Sequence, residues 1–310
     1  MMDRSKIVLG TRGSKLARMQ AHLVERAIRA VRPDVMVESK IIATKGDKTK
    51  VIDRHAGRKG LFTAEIERAL LAGYVDVAVH SAKDLPSETS PGVEIAGVLP
   101  RAPVCDVLVS KSDGGLAKLP EGATIGTGSV RRKHQLLWKR PSLKIVNLRG
   151  NVPTRLHKLA ENDWDAIVLA VAGLERLGLS AARGKLDFEG QCFVSEILPS
   201  ESFLPSGGQG IIALQIRSDD PTVKALVALV NDGQTLLCLR AEREFLRLLR
   251  GDCNFPVGVL ATMGNRRMKL RAQIFDEALS APREGSIEGR FEDGERLAAQ
   301  LLKQINGAQE

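Results

Sequence analysis

The sequence is short of several features, and each shortage excludes a class of protein. Aromatic residues make up only 4% of the 310 residues, so base-stacking platforms for single-stranded nucleic acid are not expected. No run approaches the ~18 apolar residues that a membrane-spanning helix needs. The N-terminus, MMDRSKIVLG, has no apolar secretory stretch that ends in a small-residue cleavage site. We therefore expect a cytoplasmic protein with no membrane partner and no nucleic-acid partner.

Cysteine is scarce as well. The closest pair among Cys105, Cys192, Cys238 and Cys253 is 15 residues apart, which excludes a CxxC metal or redox pair. The sequence also lacks a GxxxxGK[ST] P-loop and a GxGxxG dinucleotide fingerprint. We expect free thiols and no metal site, and a nucleotide is a weaker candidate for the ligand.

Positive charge is present in excess. The chain has 46 Lys and Arg against 37 Asp and Glu, a formal net charge of +9, which indicates an anionic partner. Hydrophobic residues make up 43% and charged residues 27%, which are ordinary values for a globular protein. The length suggests two domains, or three small ones.

Strand-like and helix-like segments alternate over the first ~215 residues, which predicts α/β layers with mixed, mostly parallel sheets. Breaks that contain Pro and Gly, at 100–103 and 205–210, predict two crossings between two α/β lobes. From about Asn231 the pattern changes to a long helix, two strand-like runs and a final helix, typical of a small α+β domain. The expected domains are residues 1–102 with 211–230, residues 103–210, and residues 231–310.

Individual elements can be assigned along this pattern. Asn151 and Pro153 predict the start of a helix, and the apolar run 166–172 predicts a buried parallel strand. Residues 41–43 are also expected to form a strand. Residues 178–191 are polar and rich in Gly and Ala, so we expect them to form an inserted surface loop.

Four predicted strands end in short polar or glycine-containing turns that open helices. The turns are GTRGSKLA at 10–17, HSAKDLP at 80–86, IGTGSVRR at 125–132 and LRGNVPTR at 148–155. Ligands bind outside the carboxyl ends of strands in open α/β sheets, and helix N-termini hold anions. The turns carry six cations that can bind carboxylate or phosphate: Arg12, Lys83, Arg131, Arg132, Arg149 and Arg155. Any one of them could be a solvated surface charge, but together they favour a cleft for a polyanion.

Two further residues each have two interpretations. Asp84 could cap the turn before Pro86, or it could be a catalytic anion that stabilises developing positive charge in a cationic cleft. Cys253 lies in the Gly- and Pro-flanked loop RGDCNFPVG, where a cysteine is either reactive or inert. The residues alone leave both choices open.

Together, these segments resemble the porphobilinogen deaminase (hydroxymethylbilane synthase) family over nearly the whole chain. The matching motifs, in order, are TRGSKLA followed by Gln20, KGLF at 59–62, HSAKD at 80–84, GTGSVRR, LRGNVPTRL, DAIVLAVAGLERL, GQG at 208–210 and AER…GDCNFPVG. The sequence departs from the family pattern at Ser206, at Cys105 before Asp106, at GDC where GGC is usual, and in the length of 178–191.

The resemblance implies a monomeric transferase of tetrapyrrole and haem biosynthesis. It implies two lobes like those of periplasmic binding proteins, with the active site between them. Four porphobilinogen molecules would be joined head to tail on a dipyrromethane cofactor with release of ammonia, and hydrolysis would then free hydroxymethylbilane. By motif position the cofactor would be attached to Cys253 through a thioether.

The resemblance also implies roles for individual residues. Asp84 would be the catalytic residue, stabilising the azafulvene-type cation that loss of ammonia leaves, and Lys59 would lie on a lid-like segment. The cofactor would be bound by Ser81, Lys83, Asp84, Thr127, Ser129, Arg131, Arg132 and Arg155. The substrate or growing chain would be bound by Arg12, Ser14, Phe62, Arg149, Arg176 and Gln209.

Two other functions compete with this one. A solute-binding module of the periplasmic type shares the two-lobed architecture, but the missing export signal and the loop cysteine weigh against it. A nucleic-acid binder is suggested only by the net charge of +9, and no DNA- or RNA-binding motif supports it.

Overall fold

A computed structural model of the chain describes residues 4–44, 63–181, 184–249, 255–276 and 281–307, and within these ranges the strands form three sheets. The first sheet has the order β2-β1-β3-β11-β4. Its strands are β1 (Lys6–Thr11), β2 (Met36–Ile41), β3 (Val77–Ser81), β4 (Val93–Val98) and β11 (Ile212–Arg217). The pairs β1·β2 and β1·β3 are parallel, and β11 is antiparallel to both of its neighbours, so most of these strands run the same way.

Helices cover both faces of this sheet and complete the first lobe. They are α1 (Lys15–Val31), α2 (Ala64–Leu71) and α7 (Pro221–Val230). Helix α1 buries Ala17, Val24 and Ile28 at helical spacing, and α7 packs beside it on the same face. Helix α2 buries Ile66 and Leu70 on the opposite face. The carboxyl ends of the parallel strands are therefore left for the turns that follow them.

The second lobe repeats this plan. Its sheet has the order β7-β6-β8-β5-β10-β9, with strands β5 (Asp106–Ser110), β6 (Thr124–Gly126), β7 (Lys144–Val146), β8 (Ala166–Ala170), β9 (Lys185–Phe188) and β10 (Gln191–Leu198). Strand β6 is parallel to β7 and β8, whereas β5 is antiparallel to β8 and β10. The helices are α3 (Gly115–Lys118), α4 (Val130–Lys139), α5 (Val152–Glu161) and α6 (Val171–Arg176).

The third domain is an antiparallel sheet covered by two helices. Strands β12 (Val257–Gly264), β13 (Arg267–Ile274) and β14 (Arg283–Arg290) pair in sequence, and α8 (Gly233–Leu248) and α9 (Gly294–Gly307) pack against them. The expected fold class, two mixed α/β lobes and a small α+β domain, is confirmed. The residue boundaries of the three domains stay a prediction.

The chain passes between the first two sheets at residues 99–105 and again at 199–211. The two crossing segments touch: Ala102 N donates to Gly210 O at 3.1 Å. Gly210 has φ +84°, and a Cβ there would overlap the carbonyl oxygen of Ala102. Only glycine fits this position without moving the backbone.

A buried ion pair ties the crossing segments to the third domain. Arg101 donates to both carboxylate oxygens of Glu242 on α8, at 2.7 and 3.2 Å, and its Nε donates to Gln209 O. Glu242 also accepts the N–H groups of Gly208 and Ala261 at 2.7 and 2.8 Å. One carboxylate therefore joins both crossing segments to α8 and β12.

Several sequence-based expectations are confirmed and two are wrong. Asn151 caps α5 by accepting Thr154 N, with Pro153 in the first turn. The surface loop expected at 178–191 is wrong, because Lys185–Phe188 is a strand paired with β10 that buries Leu186 and Phe188 in the second-lobe core. The strand expected at 41–43 is also misplaced. The strand is Met36–Ile41, whose polar residues lie at the sheet edge and obscured the pattern.

No helix in the described ranges is both long enough and apolar enough to cross a membrane.

The buried His80 on β3 predicts a specific sensitivity to acid. Burial lowers the pKa of His80 from 6.5 to about 4. The contact of its Nε2 with Gln215 Oε1 at 3.1 Å raises the pKa in part, whereas the charge of Arg12 lowers it further. Between pH 6.5 and 4 the His80 imidazole binds a proton in the unfolded chain but stays neutral in the folded chain. The free energy of unfolding therefore falls as the pH falls through this window. The loss is up to ~3 kcal/mol.

We expect His80→Gln to flatten the pH dependence of the unfolding free energy in this window, measured by urea titration at several pH values. His22→Gln is the control, because His22 is exposed on α1. Equal slopes for the native and His80→Gln chains would contradict the prediction.

Candidate active site

A small cleft lies where the two lobes meet. Its polar lining comes from Gln20, Ser81 and Lys83 in the first lobe and from Arg176 in the second, and Gly208 from a crossing segment completes it. The side chains of Gln20 and Ser81 are hydrogen-bonded, with Gln20 Nε2 donating to Ser81 Oγ at 2.8 Å. The cleft therefore brings together residues that are far apart in sequence, three of which the sequence singled out.

The turn after β3 places a cation and a carboxylate side by side at the cleft. A short 3-10 turn, Ala82–Asp84, follows the end of the strand, with Lys83 half-buried and Asp84 exposed. The charge of Asp84 raises the pKa of both Lys83 and Arg155, against larger effects that lower them. Asp84 thus lies within electrostatic reach of one cation from each lobe.

Lys83 is a cation in a crowded positive environment. Burial, and then the charge of Arg132, lowers its pKa from 10.5 to about 8, while Asp84 and Asp106 act in the opposite direction. Its Nζ lies 3.5 Å from Gln209 Oε1. An anion bound beside Lys83 would offset the cost of burying its charge and favour the protonated form.

The turn before α4 organises the second-lobe side. Thr127 Oγ1 accepts Ser129 N at 3.2 Å, and Ser129 Oγ accepts Arg132 N at 3.4 Å, so these two hydroxyls shape the helix start. Arg131 and Arg132 point inward and donate to Asp106 at 2.7 and 2.6 Å. The sequence assigned the guanidinium groups of Arg131 and Arg132 to a bound ligand, but in the structure one nitrogen of each already binds the Asp106 carboxylate.

Two more arginines are held by backbone carbonyls. Arg155 Nε donates to Gly150 O at 2.8 Å, and burial lowers its pKa to about 10. Arg176 donates to Gly210 O at 2.6 Å, and burial likewise lowers its pKa to about 10. Arg149 lies half-buried in the turn before α5. Burial thus disfavours the charged forms of Arg155 and Arg176, and a bound anion would offset that cost.

The remaining predicted residues divide into described and undescribed ones. Ser14 caps α1 by accepting Ala17 N at 3.2 Å, and Arg12 is half-buried in the same turn. Lys59, Phe62 and Cys253 lie outside the described residues.

Sequence reasoning missed one residue and did not foresee the contacts of another. Asp106 begins β5 and is fully buried, and its carboxyl pKa is held far below the usual range by Arg131 and Arg132 despite the opposing effect of burial. An acidic residue at the head of the apolar run DVLVS was the available signal. Gln209, which the resemblance assigns to the substrate or growing chain, donates to Val104 O at 2.6 Å and to Asp106 Oδ1 at 2.9 Å. It thus connects Lys83 with the Asp106 cluster.

This arrangement suits a small ligand that carries several carboxylates. Guanidinium groups bind carboxylates in a planar, directional way, and here they converge from different turns. The Nε atoms of Arg131 and Arg132 are buried and have no hydrogen-bond partner in the described structure. Beside these cations, Asp84 supplies an exposed negative charge, which can act on a group that becomes positive during a reaction.

The comparisons with known proteins agree with this geometry. The chain matches the family model described as "Porphobilinogen deaminase, dipyromethane cofactor binding domain" over residues 7–225, and "Porphobilinogen deaminase, C-terminal domain" over residues 236–306. It is 44% identical to the porphobilinogen deaminase of Syntrophomonas wolfei over 305 residues, which cover 97% of this chain and 96% of that protein.

A second relative is the porphobilinogen deaminase of Roseiflexus sp. (strain RS-1), 43% identical over 274 residues, which cover 87% of this chain and 86% of that protein. Among solved structures the chain is similar to the methionine binding protein MetQ, at 14% identity and a TM-score of 0.44, covering 76% of this chain and 93% of that one.

Proposed function

The chain belongs to the porphobilinogen deaminase family, and from that premise we propose that it is a transferase of tetrapyrrole synthesis. Its substrate is porphobilinogen, which it condenses head to tail in four units on a dipyrromethane cofactor; ammonia is released, and hydrolysis yields hydroxymethylbilane. One observation carries the assignment: Lys83 from the first lobe and Arg176 from the second line one cleft, and the charge of Asp84, which follows Lys83 in the chain, acts on both Lys83 and Arg155.

The residues of the cleft fit this cofactor. A dipyrromethane carries an acetate and a propionate on each ring, so it needs several cations in one place. Lys83, Arg155 and Arg176 have pKa values lowered by burial, and bound carboxylates would offset that cost. We assign Ser81, Lys83, Arg131, Arg132 and Arg155 to the cofactor carboxylates, with Thr127 and Ser129 shaping the turn.

The reaction then divides among the chain's own residues. When bound, the dipyrromethane supplies the pyrrole carbon to which the first substrate is joined. Asp84 stabilises the positive charge that develops on a substrate pyrrole as its amino group leaves as ammonia. Arg12, Ser14, Arg149 and Arg176 orient the substrate through its carboxylates. Because these groups come from both lobes, substrate and cofactor meet between them.

Cys253 is the proposed attachment point of the cofactor, and intact-protein mass spectrometry tests it. The purified chain is expected to carry the mass of a two-pyrrole adduct, which peptide mapping places on the peptide containing Cys253. Cys253→Ser should lack the adduct and consume no porphobilinogen, whereas Cys192→Ser, an exposed thiol, should keep both. An adduct on Cys105, Cys192 or Cys238, or an active chain without an adduct, would show that Cys253 is not the attachment point.

The arginines are expected to fall into two groups. Arg132 lies in the buried cluster with Asp106, whereas Arg149 lies half-buried in a different turn. Arg132→Leu should therefore yield mainly cofactor-free chain, and Arg149→Leu should yield loaded chain that elongates slowly. Intact mass measures the loaded fraction, and porphobilinogen consumption per loaded chain measures elongation. Normal loading of Arg132→Leu would contradict this division.

A further inference from the structure

A single buried carboxylate organises the cationic side of the cleft. The Asp106 side chain is fully buried, and its two oxygens accept three hydrogen bonds. Arg131 donates to Oδ2 at 2.7 Å, and Arg132 and Gln209 donate to Oδ1 at 2.6 and 2.9 Å. Asp106 comes from β5, the arginines from α4 and Gln209 from a crossing segment, so one residue joins three parts of the fold.

Each of the two guanidinium groups is held at two points. Arg131 Nη1 donates to Leu204 O at 2.7 Å and Arg132 Nη1 donates to Val168 O at 2.8 Å, while Nη2 of each binds Asp106. Two fixed points define the plane and rotation of a guanidinium. The Nε atom of each has no hydrogen-bond partner in the described part of the chain. The contacts thus orient both groups and leave the Nε–H of each without a partner among the described residues.

The charge balance of the cluster also depends on Asp106. Arg131 and Arg132 are both nearly buried, and the Arg132 charge lowers the pKa of Arg131 and of Lys83. The negative charge of Asp106 opposes this repulsion and raises the pKa of Arg131 and of Lys83. Gln209 extends the cluster by accepting from Lys83 through Oε1 while donating to Asp106 through Nε2. Without the carboxylate, three neighbouring cations would lose a shared counter-charge.

We infer that Asp106 is a positioning residue, which fixes the guanidinium groups of Arg131 and Arg132 and, through Gln209, the Lys83 ammonium in the orientation that receives the cofactor carboxylates. The inference rests on the proposed function. It assigns Asp106 no contact with the cofactor or the substrate. Its loss therefore acts on loading of the cofactor, before any turnover.

The rate of cofactor loading tests this role. Cofactor-free chain is made in cells that cannot make porphobilinogen, porphobilinogen is added, and intact mass follows the appearance of the two-pyrrole adduct. Asp106→Asn removes the charge, and Asp106→Glu keeps it but moves the carboxylate by one methylene. We expect loading to slow at least ~10-fold for Asn and several-fold for Glu.

The matched control is Asp165→Asn. Asp165 is another second-lobe carboxylate, which accepts Thr124 N at 2.7 Å at the start of β6, away from the cleft. Its loss lowers stability but should leave the loading rate at the native value. If loading merely followed stability, the Asp165 and Asp106 variants would slow in proportion to their loss of melting temperature.

A second readout needs no cofactor. In the cofactor-free chain, the pKa of Lys83 is followed by NMR of its labelled ammonium group, which faces Asp84, Asp106, Arg131 and Arg132. Asp106→Asn should lower this pKa, because the Asp106 charge raises it, and Asp106→Glu should keep it near the native value. Failure of the native chain to load would overturn the proposed function, and the Lys83 titration would still test the positioning role.

Native loading rates in either Asp106 variant would overturn the inference, as would an unchanged Lys83 pKa in Asp106→Asn. If Asp106→Asn does not fold, the loading rate of Asp106→Glu is the test of the inference. Gln209→Leu is a further variant, which removes the third donor without changing any charge and is expected to slow loading as well. Slow loading in the Asp106 variants with a native melting temperature in Asp106→Glu would establish the positioning role.

Discussion

Replacing Asp84 with asparagine is expected to lower turnover ~10²–10³-fold or more, the usual loss when one preorganised electrostatic partner is removed from a transition state. Asparagine keeps the size and the capping ability of aspartate, so only the charge is lost. Asp84 is exposed at the end of a short 3-10 turn, and its replacement should leave folding nearly unchanged. The measurement is porphobilinogen consumption and ammonia release per cofactor-loaded chain, with loading determined by intact mass.

The control for this variant is Asp163→Asn, since Asp163 is an exposed aspartate in the turn after α5. It should change neither turnover nor melting temperature. If Asp84→Asn melts early but turns over normally per folded chain, Asp84 is a cap for its turn and the catalytic assignment is wrong.

The largest loss of stability is expected from Arg101→Leu. Glu242 is fully buried, and without Arg101 its carboxylate would lose the one counter-charge it has among the described residues, although Gly208 N and Ala261 N would still donate to it. Removing one partner of a buried ion pair costs about 3–5 kcal/mol. The measurement is the unfolding free energy from urea titration, together with the melting temperature.

Two controls sharpen this measurement. Arg267 and Glu288 form an ion pair of 2.6 Å between two strands of the third domain, but both side chains are more than half exposed. Arg267→Leu should therefore cost only ~0–1 kcal/mol. The double variant Arg101→Leu with Glu242→Leu should be more stable than Arg101→Leu alone, because it removes the uncompensated charge. A loss for Arg101→Leu no greater than for Arg267→Leu would contradict the prediction.

Much of the fold could be predicted because its signals are local. The capping oxygen of Asn151, the proline in the first turn of α5 and the apolar run 166–172, of which Ala166–Ala170 becomes β8, all act within a few residues. The β9 strand could not be predicted in this way. Its two buried side chains, Leu186 and Phe188, lie among polar residues and glycines, and only the antiparallel partner β10 makes the segment a strand.

The same distinction between local and long-range signals applies to the candidate active site. That the turns of one lobe lie near each other could be predicted, because the carboxyl ends of parallel strands share a sheet edge. That all four turns line one cleft stays a prediction. Which charges pair with one another could not be predicted, since it depends on the directions of side chains after the lobes have packed. Asp106 reaches Arg131 across 25 residues and Gln209 across 103 residues, and no local pattern encodes either contact.

The position of β11 sets the order in which the two lobes can be completed during synthesis. Within the described chain, every strand of the second-lobe sheet has been made by Leu198, whereas the first-lobe sheet is closed only by Ile212–Arg217. Until then β3 and β4 face an empty place in the sheet, and their edges carry N–H and C=O groups open to pairing. The lobe that the ribosome begins first is thus the later one to be finished. A nascent or truncated chain that ends before residue 212 presents a gap of one strand's width, which a segment of a neighbouring chain can fill.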